Sequence, residues 1–529
     1  MTHTAVLEAQ IIDQDEKTFL RFFNKALIFQ ANDQYEQAIE YYEKAVSIKP
    51  DHLPTRQVLG FLYQACRRYS EALEQYKQAI LLHKYSATLH NSAGLCEEHC
   101  NNLPAAKRYF QTAIDLKQNN PQAFNNLGNV CRKLGEYSKA EEYLLTALRL
   151  NISVETLANL GMVMNELGNL SLCLSFYEHA LRLQPDNAKL NWNKSLTLLA
   201  QGKFDQGWYL YDQGKIAKTR PKQISPKITD KADFSVDYFR DKTVYIRGEQ
   251  GIGDEIMFAS CFADIISVAK YCHIECDERL VPLFQRSFPD ANIVTEYDSH
   301  LINQKSGASN EKGITGTGIN ADIVISSASL PRFVRRSFSS FPCKNSYLYA
   351  YPKAAEQWRK RYALKEKSLN IGISWKGGLR DEARRRSTEL ASWLGILQNT
   401  NVNFVNLQYG DIRNEQDIAD KYLNEWSDTN HYHNLDQLAA QITALDLVIT
   451  VSNATAHLAG ALGVPVFVLL PHSPNWRWFM GKNPSPWYKS ATLFAQKQTD
   501  DWGPVFKAVQ QTLNATYLDD KRQMIELIE

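Results

Sequence analysis

The chain has 529 residues, of which 44% are hydrophobic, and it carries 59 basic against 58 acidic side chains. A net charge of +1 lacks the basic excess of proteins that bind nucleic acid through its phosphates, so we expect no nucleic-acid partner. Residues 1–20 are polar, and the longest apolar stretch, 459–470, is interrupted by Gly463 and Pro465. The sequence therefore predicts neither a secretion signal nor a membrane span, and its scattered cysteines fit a reducing cytoplasm.

A motif returns about every 34 residues in the N-terminal part of the chain. Alanines mark one position and glycines another, namely Ala45, Ala79, Ala113, Ala147 and Ala180, and Gly60, Gly94, Gly128 and Gly161. A period of this size is typical of a solenoid of helical hairpins, and the pattern resembles tetratricopeptide repeats. We predict an N-terminal arm at 1–18, then a repeat domain at 19–214 with five clear repeats and a divergent sixth, then a linker at 215–241.

Asparagines lie two or three positions before several of the repeat glycines, at Asn91, Asn125, Asn126 and Asn159. Each side-chain amide offers one acceptor and two donors, so these residues are candidates for clamping the backbone of a peptide or protein in the groove of the solenoid. The alternatives are that they are solvated polar residues and that the array is a scaffold.

From Lys242 onward, short β-branched runs alternate with helical segments. The predicted strands are Thr243–Arg247, Ile274–Cys276, Ile293–Val294 and Ile323–Ile325 in a first lobe (242–352), and Asn370–Trp375, Val402–Gln408, Leu447–Val451 and Val464–Leu470 in a second lobe (353–529). Such alternation predicts parallel sheets, with ligands bound beyond the carboxyl ends of the strands in a cleft between the lobes. Residues 300–320 are predicted to form an insertion loop.

The first informative strand end is the turn from Gly248 to Glu255. It differs from the dinucleotide-binding G-x-G-x-x-G pattern. Asp254 in this turn either caps the following helix or acts as a general base at the cleft.

The second strand end is Trp375-Lys376-Gly377-Gly378, followed by Arg384 to Arg386 and Ser387. Glycines let the backbone approach a ligand, and lysine and arginine suit a diphosphate. The alternative is a solvated basic loop.

The third strand end is the polar turn from Ser452 to Leu458, which separates an apolar strand from a short helix of small residues. Unpaired N–H groups and the helix dipole make such a helix start an anion site. His457 lies in its first turn, where it either contacts a ligand or is a hydrogen-bonded core histidine. The aromatic run at 474–488 is predicted to serve packing between elements.

These motifs resemble GT-B glycosyltransferases of the heptosyltransferase type, glycosyltransferase family 9. Gly253-Asp254 matches that family's Gly-Asp, whose aspartate is the catalytic base, and 372–378 matches its first nucleotide-binding loop. Residues 452–458 match its diphosphate turn, although Ser452-Asn453 replaces the family's Asp-Thr, which argues against a heptose donor. The resemblance implies an α-solenoid followed by an α/β GT-B fold with two Rossmann-like lobes.

The whole chain resembles bacterial proteins that fuse tetratricopeptide repeats to such a lobe pair, among them flagellin glycosyltransferases that use CMP-activated nonulosonic sugars. It also resembles O-GlcNAc transferase in architecture. We predict Asp254 as the catalytic residue. The predicted donor-binding residues are Gln250, Gly253, Trp375, Lys376, Gly377, Gly378, Arg386, Ser387, Gln408, Ser452, Asn453, Ala454, Thr455, His457 and Leu458.

The leading hypothesis is therefore a cytoplasmic enzyme that moves a sugar from a nucleotide-sugar, such as a CMP-sugar, to a serine or threonine hydroxyl of a protein such as flagellin. We expect no resident cofactor or metal, because a D-x-D motif occurs only at Asp13-Gln14-Asp15, before the repeats. The alternatives are an enzyme that acts on the lipopolysaccharide core and a non-catalytic scaffold with a degenerate transferase.

Overall fold

The computed structural model describes residues 3–217, 234–295, 321–342, 344–365, 367, 369–378, 385–425, 433–479 and 481–518. The chain forms two compact units, Met1–Pro185 and Asp186–Glu529. The predicted insertion loop at 300–320 and Arg384 lie outside the described residues.

The first unit is a run of helical hairpins. Its helices are α1 (His3–Ala31), α2 (Tyr35–Ile48), α3 (Leu53–Ala65), α4 (Tyr69–Leu82), α5 (Ala87–His99), α6 (Leu103–Leu116), α7 (Pro121–Lys133), α8 (Tyr137–Leu150), α9 (Val154–Glu166) and α10 (Leu170–Leu183). The five pairs correspond to the five predicted repeats.

Glycine and alanine allow the two helices of each hairpin to approach closely. A Cβ atom on Gly161 of α9 would lie 2.4 Å from the Tyr177 ring of α10, and one on Gly60 of α3 would lie 2.6 Å from the Tyr76 ring of α4. The 34-residue glycine period therefore reflects a steric requirement inside each hairpin.

The predicted N-terminal arm is continuous with the first helix of the first repeat, because residues from His3 onward belong to α1. No glycine or proline interrupts the chain between Thr4 and Ala31. Nothing in the sequence therefore ends the helix before the first repeat begins.

The divergent sixth repeat belongs to the second unit. It forms α11 (Ala188–Ala200), α12 (Phe204–Tyr211) and α13 (Gln213–Ile216). Trp208 of α12 donates to the Arg335 carbonyl at 2.8 Å, and buried Lys215 of α13 donates to Ser329 at 3.1 Å. This terminal hairpin thus departs from the repeat pattern because it packs on the first α/β lobe.

Both ends of the predicted linker, 215–241, are part of the fold. Lys215 is only 9% exposed, and Phe239 is fully buried against Phe333 with ring centroids 4.8 Å apart. The sequence analysis missed these positions because they lack apolar periodicity; residues 218–233 lie outside the described part of the chain.

The first lobe is a parallel sheet with strand order β3-β2-β1-β4. Its strands are β1 (Thr243–Arg247), β2 (Tyr271–Cys276), β3 (Asn292–Thr295) and β4 (Ile323–Ser326). Its α-helices are Ile252–Ala259, Phe262–Ile266, Val281–Ser287 and Pro331–Val334, and its 3₁₀ turns are Val236–Phe239, Glu278–Leu280, Ser327–Ser329 and Phe338–Ser340.

The second lobe is a five-stranded parallel sheet with strand order β6-β5-β7-β8-β9. Its strands are β5 (Leu369–Ser374), β6 (Val402–Asn406), β7 (Leu447–Val451), β8 (Val466–Leu470) and β9 (Ala491–Ala495). Its α-helices are Pro352–Ala363, Leu394–Leu397, Gln416–Tyr422, Leu435–Thr443, Ala454–Leu462 and Gly503–Leu513. The 3₁₀ turns Leu390–Trp393, Arg413–Glu415 and Trp476–Trp478 and the π-turn Asn514–Leu518 complete it.

All eight predicted strands are present with small changes at their ends, and the predicted α/β class is confirmed. The edge strand β9 was not predicted. None of the described helices combines the length and the apolar character that a bilayer crossing needs.

Candidate active site

The carboxyl ends of β5 and β7 meet in the second lobe, and Asn453 joins them. Its Oδ1 accepts from the Ala456 N–H at 3.3 Å, which caps the helix Ala454–Leu462, called here the His457 helix. Its Nδ2 donates to Ser374 Oγ at 2.8 Å and to the Lys376 carbonyl at 3.0 Å. The predicted anion site and the predicted basic loop thus come together through one side chain that is 5% exposed.

Two predicted ligand contacts in this lobe instead support the loop that follows β5. Gln408 Oε1 accepts from the backbone N–H groups of Trp375 and Lys376, each at 2.8 Å, and its Nε2 donates to the Tyr409 carbonyl. Trp375 is fully buried, and its indole donates to Glu415 at 3.0 Å. Gln408 and Trp375 therefore fix the loop from within the protein.

Other predicted residues line the open side of the same loop. Lys376 is paired with Glu415, and Ser387 Oγ accepts from the Gly377 N–H at 2.9 Å. Among the described residues, nothing lies within 4 Å of a Cβ atom placed on Gly378. Such a segment can approach a ligand closely.

Glu415 was missed by the sequence analysis. Burial raises the pKa of this carboxyl, but hydrogen bonds from Lys376, the Leu390 N–H and Trp375 outweigh that effect and hold the pKa below its usual value. Glu415 is therefore an anion that orients the Lys376 ammonium.

The predicted residues of the first turn of the His457 helix are mostly enclosed. Thr455 is 2% exposed and Leu458 is 1% exposed. The Thr455 hydroxyl has no hydrogen-bond partner among the described residues, and neither does Arg386 Nε, which is also buried. Ser452 accepts from the Trp478 indole at 2.6 Å.

Asp254 lies in the first turn of the helix Ile252–Ala259, called here the Asp254 helix, just after β1. A Cβ atom on its neighbour Gly253 would lie 3.0 Å from His457 Cδ2 and 3.5 Å from Ala454 Cα. The starts of the Asp254 helix and the His457 helix are thus in contact, which brings the predicted base beside the predicted anion site.

Arg477 is a site residue that the sequence analysis missed. Its guanidinium forms an ion pair with Asp254 at 2.5 Å and donates to Gln250 at 2.9 Å. Gln250 has a left-handed backbone with φ of +73° and donates in turn to Tyr211 of α12 at 3.2 Å. The arrangement orients the Asp254 carboxylate from the side of the terminal hairpin.

The aromatic run at 474–488 serves packing, as predicted. Trp476 packs on Trp208 of α12 with ring centroids 5.5 Å apart, and Trp478 and Trp487 are 1% and 2% exposed. The segment also supplies Tyr488, whose hydroxyl lies 2.8 Å from His457 Nδ1.

His457 is an enclosed, neutral imidazole. It is 7% exposed and stacks on Trp478 with ring centroids 5.0 Å apart. Burial, with the positive charges of Arg477 and Arg386, lowers the pKa of His457 to about 3. At neutral pH it contributes no positive charge to the site.

Glu255, next to Asp254, is protonated over much of the neutral range. Burial, with the negative charges of Asp277, Glu275 and Asp254, raises the pKa of Glu255 to about 8, although the Asp277 N–H donates to it at 3.0 Å. The folded state therefore holds this proton more tightly than the unfolded chain. The resulting stabilisation is complete below about pH 4.5 and is lost as the pH rises through about 8.

Replacing Glu255 by glutamine should remove this pH dependence. The variant should match the wild type in stability near pH 5. Near pH 9 its free energy of unfolding should exceed that of the wild type by an amount on the order of 4 kcal/mol, so it should unfold at a higher denaturant concentration. Denaturant midpoints across this pH range test the prediction, with the exposed Glu278→Gln as the matched control. Parallel curves for Glu255→Gln and wild type would contradict it.

In the first unit, the four predicted asparagines form an amide ladder between the first helices of successive repeats. Asn126 donates to Asn91 at 3.0 Å, and Asn159 donates to Asn125 at 2.9 Å. Asn125 also donates to Glu155 at 3.1 Å. The ladder explains the uneven spacing in the sequence, because a residue two positions before one glycine pairs with a residue three positions before the preceding glycine.

The alternative that these asparagines are solvated is wrong for three of them. Asn125, Asn126 and Asn159 are 3%, 4% and 7% exposed. Their amides hold adjacent repeats in register, and each side chain uses only part of its hydrogen-bonding capacity in doing so.

Comparison with known proteins shows what the first unit is. Tetratricopeptide repeat models match residues 21–52, 55–84, 121–152 and 154–187. The N-terminal solenoid is therefore built of tetratricopeptide repeats.

Protein FlbA of Caulobacter vibrioides is 28% identical over 438 residues, which cover 72% of this chain and 70% of that protein. This match is longer than the repeat array, so it includes part of the second unit.

Two solved structures resemble part of this chain. MamA has 22% identity and a TM-score of 0.30, and the match covers 33% of this chain and 96% of MamA. YrrB, described as a TPR protein with an unusual peptide-binding site, has 19% identity and a TM-score of 0.31. The match covers 36% of this chain and 97% of YrrB.

Proposed function

We propose that the protein is a GT-B glycosyltransferase that moves a sugar from a nucleotide-sugar to a serine or threonine hydroxyl of a protein acceptor. The observation that carries this proposal is the contact between the two helix starts, because Gly253, the residue before Asp254, lies against His457 in the helix start that would bind the phosphate. Transfer of a sugar from a nucleotide to a hydroxyl needs two elements, a proton acceptor and a site for the departing phosphate.

The donor phosphate would bind at the start of the His457 helix. The positive end of the helix dipole favours an anion there. Arg386 and Lys376 add positive charge, and the glycine at 378 lets the backbone approach a ligand closely. These groups would stabilise the charge that builds on the leaving phosphate without a metal ion.

The acceptor would bind on the side of Asp254. Its hydroxyl proton passes to the Asp254 carboxylate while the oxygen forms a bond to the anomeric carbon of the sugar. The bond from that carbon to the phosphate oxygen breaks, and its electron pair leaves with the nucleotide. Arg477 would orient Asp254 until the acceptor hydroxyl takes its place in the site.

The tetratricopeptide repeats would choose the acceptor. We place its docking site on the array whose register the amide ladder of Asn91, Asn125, Asn126 and Asn159 fixes. Docking of a protein on a separate surface raises the effective concentration of its hydroxyl groups at the cleft. Flagellin as acceptor and a CMP-sugar as donor are the choices that the family resemblance favours.

A thermal-shift panel tests the proposed function. A nucleotide that binds only the folded state, at about 100 times its Kd, stabilises it by about 2.7 kcal/mol. We expect one member of a set of CMP-, ADP-, UDP- and GDP-sugars to raise the melting midpoint, and mass spectrometry to detect a sugar on a protein acceptor. Modification of lipopolysaccharide core alone would favour the heptosyltransferase-like alternative, and failure of every nucleotide to bind would favour the scaffold.

Replacing the four ladder asparagines by alanine should separate acceptor docking from nucleotide binding. Nucleotide affinity should stay at the wild-type value while affinity for the protein acceptor falls about 10-fold or more, because the docking surface loses its register. Calorimetry with each ligand gives both values. A matched control replaces the exposed Asn32 and Asn119 by alanine, and wild-type acceptor affinity in the ladder variant would show that the acceptor docks elsewhere.

A further inference from the structure

A row of side chains connects the terminal hairpin to Asp254. Arg477 forms an ion pair with Asp254 Oδ1, and its Nη2 donates to Gln250 Oε1 at 2.9 Å. Gln250 Nε2 donates to the Tyr211 hydroxyl of α12 and to Glu249 Oε1, each at 3.2 Å. The sequence analysis placed Gln250 among the donor-binding residues, whereas its side chain joins α12 to Arg477. These contacts are called here the Gln250 bridge.

The orientation of the Gln250 amide follows from its neighbours. A guanidinium only donates, so the atom of Gln250 that faces Arg477 is the carbonyl oxygen. The amino group then faces the Tyr211 hydroxyl and the Glu249 carboxylate, and both of these oxygens can accept from it. The Gln250 bridge therefore has one consistent set of donors and acceptors.

Two further contacts support the guanidinium of Arg477. Its Nη1 donates to Asn475 Oδ1 at 2.7 Å, and the group lies 4.9 Å from the centroid of the Trp476 ring. Trp476 in turn packs on Tyr211 with ring centroids 5.8 Å apart. The helix α12 thus supports Arg477 by two routes, one through the amide of Gln250 and one through an aromatic ring.

The backbone of Gln250 is an independent indication that its side chain has a function. Its φ of +73° is a left-handed conformation, which costs less for glycine than for a residue with a Cβ atom. A side chain held at such a position is a candidate for a functional role, because it is present at a cost to stability. At position 250 the bridge to Arg477 supplies that role.

We propose that Tyr211 and Gln250 are positioning residues for the catalytic base, so that the terminal hairpin is part of the catalytic unit. This rests on the proposed function. Tyr211 holds Gln250, Gln250 holds Arg477, and Arg477 holds Oδ1 of Asp254. Among the described residues, none hydrogen-bonds to Oδ2 of Asp254, which is left to take the proton of the acceptor hydroxyl.

Glycine at position 250 removes the bridge without straining the backbone, because glycine readily adopts a positive φ. Gln250→Gly should lower turnover by about 10-fold or more, while calorimetry gives a wild-type affinity for the nucleotide-sugar, since only the orientation of the base changes. The matched control is Asp241→Gly, at an exposed residue just before β1 with φ of +57°, which should have wild-type turnover. Wild-type turnover in Gln250→Gly at saturating donor, with or without weaker donor binding, would overturn the proposal.

A double-mutant cycle separates positioning of the base from a general structural effect. In an Asp254→Asn background there is no base to position, so adding Gln250→Gly should leave the residual turnover unchanged. A further fall of the same size in that background would show that Gln250 acts on the fold and would overturn the proposal.

Tyr211→Phe tests the part played by the terminal hairpin. Phenylalanine keeps the ring packed on Trp476 but removes the hydroxyl that accepts from Gln250. We expect turnover to fall about 3-fold or more, because one hydrogen bond of the bridge is lost, and to fall no further when the change is added to Gln250→Gly. Wild-type turnover in Tyr211→Phe would overturn the role of the hairpin.

A crystal structure of Gln250→Gly without ligands tests the bridge independently of any activity. We expect the Arg477 guanidinium to be displaced from Oδ1 of Asp254, and an unchanged ion pair would overturn the proposal. A wild-type protein that transfers no sugar refutes the proposed function, whereas the crystal structure still decides whether Gln250 holds Arg477 on Asp254.

Discussion

Replacing Asp254 by asparagine should lower turnover by about 10²- to 10⁴-fold while nucleotide-sugar binding stays near the wild-type value. Asparagine has nearly the same shape as aspartate, but it has no charge to pair with Arg477 and it cannot take the proton of the acceptor hydroxyl. Single-turnover rates, with the enzyme in excess over the donor and the acceptor at saturation, isolate this step, and calorimetry gives the donor affinity.

A matched control for this variant is Asp436→Asn. Asp436 pairs with Arg286 at 2.8 Å, and its side chain is 20% exposed, close to the 22% of Asp254. Both variants replace the carboxylate of an ion pair of similar exposure, but only Asp254 lies beside the His457 helix. Near-normal turnover in Asp254→Asn, or an equal loss in Asp436→Asn, would remove Asp254 from the role of base.

Replacing Asn453 by aspartate should abolish most nucleotide binding without unfolding the protein. Aspartate still accepts the Ala456 N–H and so still caps the His457 helix, but it cannot donate to Ser374 or Lys376. Its negative charge would lie where we propose that the phosphate binds, and like charges in a partly enclosed site repel by several kcal/mol, so we expect affinity to fall about 10²-fold or more.

The matched control is Asn434→Asp. Asn434 caps the helix Leu435–Thr443 by accepting from the Gln437 N–H at 3.0 Å, on the same lobe but at an exposed helix start. This variant should bind the nucleotide normally. Melting midpoints of both variants separate a loss of binding from a loss of fold, and wild-type affinity in Asn453→Asp would show that the phosphate lies elsewhere.

The sequence predicts the elements of the α/β lobes because their strands are buried apolar runs that end in polar turns. The strand β7 was predicted with its observed bounds, Leu447–Val451. The edge strand Ala491–Ala495 was missed because only its first residue is buried, so it is not a buried apolar run like β7. The turns after β5 and β7 were predicted to meet because parallel strands bring their carboxyl ends to one edge of a sheet.

The sequence does not predict which side chains complete the site. Arg477 lies in an aromatic segment, and its pairing with Asp254 depends on how that segment packs against the first lobe. Glu415 and Tyr488 likewise contact Lys376 and His457 from distant parts of the chain. Contacts of this kind follow from tertiary packing, for which one sequence carries no local signal.

The terminal hairpin has a consequence for how such proteins can diversify. Trp208 and Lys215 hold α11 to α13 to the first lobe, so the second unit begins at Asp186 and includes the terminal hairpin. A 34-residue repeat gained or lost before Pro185 leaves the sequence of the terminal hairpin and of the α/β lobes unchanged. The array can therefore be shortened, extended or exchanged for another one by recombination at this junction, and under the proposed function such an exchange would change the acceptor while leaving the sequence of the catalytic lobes unchanged.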